Sequence, residues 1–318
     1  MSASGAAPRI LCIGIPVRDL LFRVEQTPAR GSKANASSLA EICGGNALNA
    51  AIAIARLGGR VSLAGPMGDA GESSSGFILD RMAREGIETG HIVRMPGLMT
   101  PVSAITIDAT GERTLTIFRD PGLWTVTLPD ADELLADCRA LLVESRCAAF
   151  CIDLCTEARR RGIAVIVGVD RAMALNDGLL TAASHLLFAS EQLQETAGIA
   201  DDGAALTALA RLTPAFLAGT RGPRGTIWLS EAGSLVETPA FPVQAVDTLG
   251  AGDVFHGAFT LALAEGQDLR GALRFAAAAA ALKCARAGGG LAAPQRLEVE
   301  GLLGATTAGN GAPGLPRL

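Results

Sequence analysis

Residues 246–259 read Val246-Asp247-Thr248-Leu249-Gly250-Ala251-Gly252-Asp253-Val254-Phe255-His256-Gly257-Ala258-Phe259, small residues leading without a break into an apolar segment that continues through Leu263. The pattern predicts a loop that runs straight into a helix. A helix start presents N–H groups with no partner inside the helix, together with the positive end of its dipole. Gly250, Ala251 and Gly252 let the backbone approach an anion closely, so the segment is a candidate phosphate cradle. Asp253 falls in the first helical turn, where a carboxylate is electrostatically favoured. A plainer reading stays open on these residues: Asp253 caps the helix and the glycines make a turn. His256, three residues on, shares the helix face of Asp253 and reads as a packing residue.

Outward from this stretch, short apolar runs alternate with amphipathic helices, the pattern of a mainly parallel sheet covered on both faces. Ile10 to Val17 reads as the first strand, and Asn46 to Leu57 as a helix stopped by Gly58-Gly59. Val61–Ala64 follows as a strand and Gly76–Arg84 as a helix. Further strands are expected at Ala140–Glu144, Ala164–Val169, His185–Ala189, Phe216–Gly219 and Thr226–Ser230. Val102–Asp108 and Arg113–Phe118 each alternate with period two around a turn at Ala109–Glu112, which predicts a hairpin. With extended residues near 20–42 it would form a small sheet outside the main one, a lid drawn from about 14–42 and 97–125. One domain is expected over 1–303, and the Gly-, Ala-, Thr- and Pro-rich residues 304–318 are expected to be a disordered tail.

Composition narrows the function. The chain has 318 residues, is 49% hydrophobic and 19% charged, and can bury a large core. Its mean hydropathy of +0.34 raises the question of a membrane. The most apolar helical stretch, Phe275–Leu282, is far shorter than the ~20 residues of a span. The N-terminus lacks a signal-peptide pattern, and a soluble, cytoplasmic protein is expected. A net charge of −5, no basic run beyond Arg159-Arg160-Arg161, 4% aromatics and no Tyr argue against nucleic acid. Two lysines, Lys33 and Lys283, stand against 25 arginines. Neither follows a Gly or sits in a V-A-I-K-like strand, which removes Walker A and protein-kinase readings. No G-x-G-x-x-G, H-E-x-x-H or G-x-S-x-G occurs. Seven cysteines are expected as free thiols, with Cys147, Cys151 and Cys155 as a core-facing helical stripe rather than a metal site.

Asp247-Thr248-Leu249-Gly250-Ala251-Gly252-Asp253 resembles the D-T-x-G-A-G-D signature of the ribokinase-like (PfkB) family of ATP-dependent sugar and nucleoside kinases. The resemblance implies a three-layer α/β/α core with a small β-lid. It also implies Asp253 as the general base on the attacking hydroxyl and the N–H groups of Gly250, Ala251 and Gly252 as an anion hole, the division that phosphoryl transfer favours. Three further segments fit. Gly44-Gly45-Asn46-Ala47-Leu48-Asn49-Ala50 resembles the family's G-G-x-x-x-N helix start and implies sugar contacts from Gly45, Asn46 and Asn49. A plainer reading, Asn46 as an N-cap with Asn49 merely tolerated, stays open on the residues alone. Asp19 lies where family members keep a sugar-binding Asp. Thr220-Arg221-Gly222-Pro223-Arg224-Gly225 matches T-x-G-x-x-G, which implies Thr220, Gly222 and Gly225 beside the nucleotide phosphates. By itself that segment is an ordinary turn. The Ala-rich helix ending Lys283-Cys284 leaves room for adenine, and Cys284 is implied at the nucleotide. The family's N-x-x-E motif is missing its Asn in Phe188-Ala189-Ser190-Glu191-Gln192-Leu193, so that Glu191 is left as the residue implied to meet Mg²⁺ through water. MgATP is implied as cofactor, and for some members K⁺ beside the anion hole.

Gly-Gly-Asn at 44–46 with the Arg274-Phe275…Lys283-Cys284 helix is most similar to ketohexokinases and bacterial sulfofructose kinases. Transfer to the primary hydroxyl of a fructose-like ketose or sulfofructose is therefore expected. Lys33 and Arg146 are similar to residues of a sulfonate pocket, although for Lys33 by itself the sequence favours a solvated surface lysine. Arg113 and Arg119 flank the second lid strand as a solvated rim or as lid contacts to substrate. A homodimer through paired lids is implied. A ribose or nucleoside kinase of the same family, and a catalytically silent sugar-binding or regulatory protein on this scaffold, are the alternatives.

Overall fold

The computed structural model describes residues 7–69 and 71–308. The N-terminal part contains β1 (Arg9–Ile13), β2 (Val17–Arg23), β3 (Ser38–Gly44), α1 (Asn46–Arg56), β4 (Arg60–Met67), α2 (Ser73–Arg84), β5 (Ile92–Arg94), β6 (Val102–Ile107) and β7 (Arg113–Phe118). Then come α3 (Ala131–Leu134), β8 (Cys138–Glu144), α4 (Ala148–Arg160), β9 (Ala164–Val169), α5 (Leu179–Ala182), β10 (His185–Ala189), α6 (Ser190–Ala197) and α7 (Asp202–Leu209). The C-terminal part adds β11 (Phe216–Thr220), β12 (Thr226–Leu229), β13 (Leu235–Thr238), α8 (Ala251–Ala264), α9 (Leu269–Cys284) and α10 (Arg296–Ala308).

Nine strands form one sheet in the order β13-β12-β11-β10-β9-β8-β1-β4-β5, with parallel pairings from β11 to β5 and antiparallel pairings of β12 with β11 and with β13 at one edge. Its central strands, such as β1 and β9, are apolar and buried because both faces are covered. In β1, Ile10 and Cys12 join a core built with α1, α8 and α9, while Leu11 and Ile13 point into the opposite core with α4 to α7. The thiols of Cys147, Cys151 and Cys155 are buried in this second core. Three layers, α/β/α, result. No helix among the described residues is long and apolar enough to cross a membrane.

The second sheet, β3-β2-β6-β7, stands apart from the first. Ile10–Val17 is not one strand as expected: β1 stops at Ile13 and the chain leaves for the small sheet at Val17. A Cβ on Gly14 would lie 2.4 Å from Ala47 Cβ and 2.5 Å from Glu144 Oε1, so the crossing between the two sheets is packed too tightly for any side chain. The C-terminal expectation is also corrected. Residues 304–308 belong to α10, whose Leu302 and Leu303 pack on the first core; residues 309–318 lie outside the described residues.

Candidate active site

The carboxyl ends of parallel strands form the edge where such sheets hold ligands. Here β1 delivers Gly14, β8 ends on Glu144, and Asp170 follows β9, while α1 and α8 begin beside them. The approach of α1 and α8 depends on Gly257, where a Cβ would stand 2.5 Å from Ala50 O. That closeness brings Asn49 Nδ2 to donate to Asp253 Oδ2 at 2.8 Å, joining residues 204 positions apart. Asn49 Oδ1 is buried without a partner and packs on Gly290. Asn46 is the first residue of α1 rather than its N-cap; Gly45 occupies the cap, with φ 95°. Asp19 reaches the same region from the small sheet. It pairs in register with Ser103, whose hydroxyl donates to its Oδ1, and its carboxylate lies over Gly44, where a Cβ would be 1.9 Å from Oδ2.

Burial dominates the electrostatics of this cluster. Asp253 is pushed up to about 7 by burial, with Asp170 and Asp19 adding to the rise and the Asn49 hydrogen bond and Lys283 opposing it. Burial also lifts Glu144 to about 8 against a hydrogen bond from Ala47 N at 2.7 Å, and Asp19 to about 6 against the Ser103 hydroxyl. His256 is buried and held down to about 4, so it is neutral; its ring packs on Gly168.

Beside the carboxylates lies the glycine loop. Gly250 caps α8 in the left-handed region, φ 79°, a conformation that suits glycine. Ala251 N–H donates to Thr248 O at 3.2 Å, while among the described residues the N–H groups of Gly250 and Gly252 have no acceptor. The cradle expected from three residues therefore has its free donors at Gly250 and Gly252. A Cβ on Gly252 would meet nothing within 4 Å, so its surroundings are open. Thr220 ends β11, with its hydroxyl on Phe188 O at 3.2 Å, and opens the turn containing Gly222 and Gly225. The carbonyl of Cys284 accepts from Val246 N and Asp247 N, tying the end of α9 to the loop. Glu191 is an exposed carboxylate in the first turn of α6. Such a group fits a hard cation met through water, with the nucleotide phosphates supplying the inner ligands.

The two cations expected to form an anion pocket are not brought together as a free pair. Lys33 is exposed on the loop between β2 and β3. Arg146 Nε donates to Asp170 Oδ2 at 2.9 Å, so its charge is matched. Arg119 is half-buried near Arg146, Glu144, Asp170 and Asp19, and burial lowers its pKa. Arg113 reaches across from β7 to donate to Thr248 Oγ1 at 3.1 Å, a contact between the small sheet and the glycine loop. Sequence reasoning passed over Glu144, Asp170 and Lys283. For the first two a signal existed: a carboxylate at or just past the carboxyl end of an apolar strand.

The sequence profile described as "pfkB family carbohydrate kinase" matches residues 7–296. The chain belongs to this family. It is a carbohydrate kinase, an ATP-dependent phosphotransferase with an alcohol acceptor. The pfkB chain is 29% identical to ribokinase of Bacillus subtilis (strain 168) over 297 residues, covering 92% of itself and 99% of that protein. Among solved structures it is similar to a provisionally assigned ribokinase from Agrobacterium tumefaciens, with 35% identity, a TM-score of 0.90, and coverage of 96% and 100%. Fructokinase from Xylella fastidiosa with bound ATP matches at 25% identity and a TM-score of 0.79, covering 94% of this chain and 99% of that one.

Proposed function

We propose that this kinase transfers the γ-phosphoryl group of ATP to the primary hydroxyl of a neutral furanose sugar, either a ribose-like pentose or a fructose-like ketose. The supporting observation is the composition of the cluster at the sheet edge. Asp19, Glu144, Asp253, Asn46 and Asn49 are groups suited to sugar hydroxyls, and the guanidinium of Arg146 is already matched by Asp170. Similarity to ribokinases favours the pentose. The Gly44-Gly45-Asn46 helix start and the fructokinase similarity favour the ketose. Sulfofructose would need free cations from Lys33 and Arg146, and is the weaker reading.

In this proposal Asp253 accepts the proton of the attacking hydroxyl while Asn49 holds the carboxylate in place. The free N–H groups of Gly250 and Gly252 meet charge on the transferring group. Thr220, Gly222, Gly225 and Cys284 border the nucleotide, and Glu191 faces Mg²⁺ through water. When bound, the Mg²⁺ neutralises charge between the β- and γ-phosphates. The small sheet acts as a lid that excludes water, and lids of two copies pair to form a homodimer. Free buried thiols and the use of ATP fit a cytoplasmic protein.

ATP turnover with Mg²⁺ should be measured on ribose, fructose, sulfofructose, fructose 6-phosphate and adenosine. The expected result is a kcat/KM for ribose or fructose at least about tenfold above the others, a difference of ~1.4 kcal/mol in transition-state binding. Preference for sulfofructose would restore Lys33 and Arg146 as an anion pocket and overturn the neutral-sugar proposal. An absence of turnover on all five would favour a silent sugar-binding protein.

A further inference from the structure

Of the two lysines, Lys33 is exposed and Lys283 is fully buried. Burying an ammonium is costly unless oxygen atoms surround it. The oxygens here belong to Asp247, the first residue of the D-T-x-G-A-G-D loop. Lys283 Nζ donates to Asp247 O at 2.6 Å and lies 3.4 Å from Asp247 Oδ2. The same carboxylate accepts from Leu249 N at 2.8 Å and from Gly288 N and Gly289 N at 3.0 Å each. Asp247 thus knots the glycine loop, the end of α9 and the turn at 288–290, and the ammonium sits at the knot. The turn in turn supports the cradle, since a Cβ on Gly250 would be 3.0 Å from Gly290 N.

Some relatives are expected to carry K⁺ beside the anion hole. The residues at this knot do not fit such an ion. The Asp247 carbonyl and one carboxylate oxygen already face an ammonium, and both carboxylate oxygens carry backbone N–H donors. A second cation would meet a fixed positive charge with few oxygens left to share. An ammonium group has the charge of K⁺ and a similar size.

We propose that Lys283 takes the place of a bound monovalent cation, so that the chain itself supplies the fixed positive charge behind the Gly250–Gly252 cradle. Lys283 is a positioning residue: it acts through Asp247 and touches no reacting atom. The inference rests on the family's phosphoryl transfer, whichever sugar is the substrate. It also accounts for one of only two lysines in a chain with 25 arginines. A guanidinium is planar and larger, whereas an ammonium is a compact point charge that can stand in for a spherical ion.

Two measurements test this. Turnover on the best sugar of the panel, and the Tm of the protein without substrate, should be the same in KCl, NaCl and tetramethylammonium chloride at equal ionic strength. Activation by K⁺ of about tenfold or more, or a Tm raised by K⁺ alone, would overturn the proposal. The Tm arm holds even if no sugar in the panel is turned over. Lys283→Ala should lower both quantities in tetramethylammonium chloride and recover in K⁺ or methylammonium, which fit the vacated space. Its acid limb in kcat/KM should also move to higher pH, because the Lys283 charge favours ionised Asp253. A folded variant that no cation rescues and whose pH profile is unchanged would leave Lys283 a structural residue and overturn the proposal. Should the variant not fold, the parent's indifference to K⁺ still decides.

Discussion

Asp253 carries opposite demands. Burial makes its charged form unfavourable in the folded protein, while the general-base role proposed for it requires the ionised form. The folded state therefore holds the proton more tightly than the unfolded chain. The resulting stabilisation is fully present below about pH 4 and is lost as pH rises through about 7. Asp253→Asn removes this dependence and keeps a partner for Asn49. The variant should match the parent's Tm near pH 4 and exceed it at pH 8, by on the order of 2–4 kcal/mol in unfolding free energy. Its turnover should fall by roughly 10²–10⁴. Turnover within a few-fold of the parent would remove Asp253 as the base. The parent's kcat/KM should rise with pH along a limb near pH 7. At this scale legibility follows sequence distance. Asp253 and Asn49 lie in local patterns that announce a helix start, whereas Asp19, inside β2, was marked only by the family resemblance. Lys283 was invisible as a site residue because its importance comes from Asp247, 36 positions away, and only the fold brings the two together.

The Thr220–Gly225 turn illustrates what an element adds to its residues. From sequence it was either an ordinary turn or a nucleotide contact, and its two glycines looked alike. They differ in the fold. Gly225 has φ 83°, and a Cβ there would stand 2.1 Å from Thr238 O, so β13 forbids any side chain. Gly222 has φ 56°, and a Cβ would meet nothing within 4 Å. Gly225→Ala should lower stability by more than about 3 kcal/mol in urea unfolding, from strain and collision together. Gly222→Ala should cost only about 1–2 kcal/mol for its left-handed backbone. If the open space over Gly222 borders the nucleotide, this variant should also raise the KM for ATP severalfold with the sugar KM unchanged. Equal stability losses would show that the turn is read wrongly; an unchanged KM for ATP would leave it a plain turn. Element type was legible wherever periodicity or apolar runs were strong, and strands such as Ala164–Val169 and His185–Ala189 match to the residue. The break after Ile13 was not, because an apolar run does not record that the chain changes sheets partway along it.

Over the whole molecule, the alternation of apolar runs and helices gave the three layers, because a parallel sheet buried on both faces must have both features. It gave nothing about how the small sheet is covered. Cross-strand register puts Asp19, Ser103 and Ile117 in one row and Leu21, Ile105 and Leu115 in the next row on the same face, so Leu115 and Ile117 share the face that carries Asp19, proposed above to bind the sugar. They are 54% and 38% exposed, and every residue of β7 is exposed along a free sheet edge. An open apolar edge strand is a pairing surface unless something covers it. The proposed occupant is the same sheet of a second copy. Sedimentation equilibrium should then give the parent twice the mass of a Leu115→Asp/Ile117→Asp double variant. Because the same face carries Asp19, losing the partner should raise the KM for sugar severalfold and leave the KM for ATP, bound across the glycine loop, little changed. A monomeric parent with full turnover would mean that this sheet closes over its own site without a partner, and would end the dimer proposal. A dimeric double variant would move the interface elsewhere.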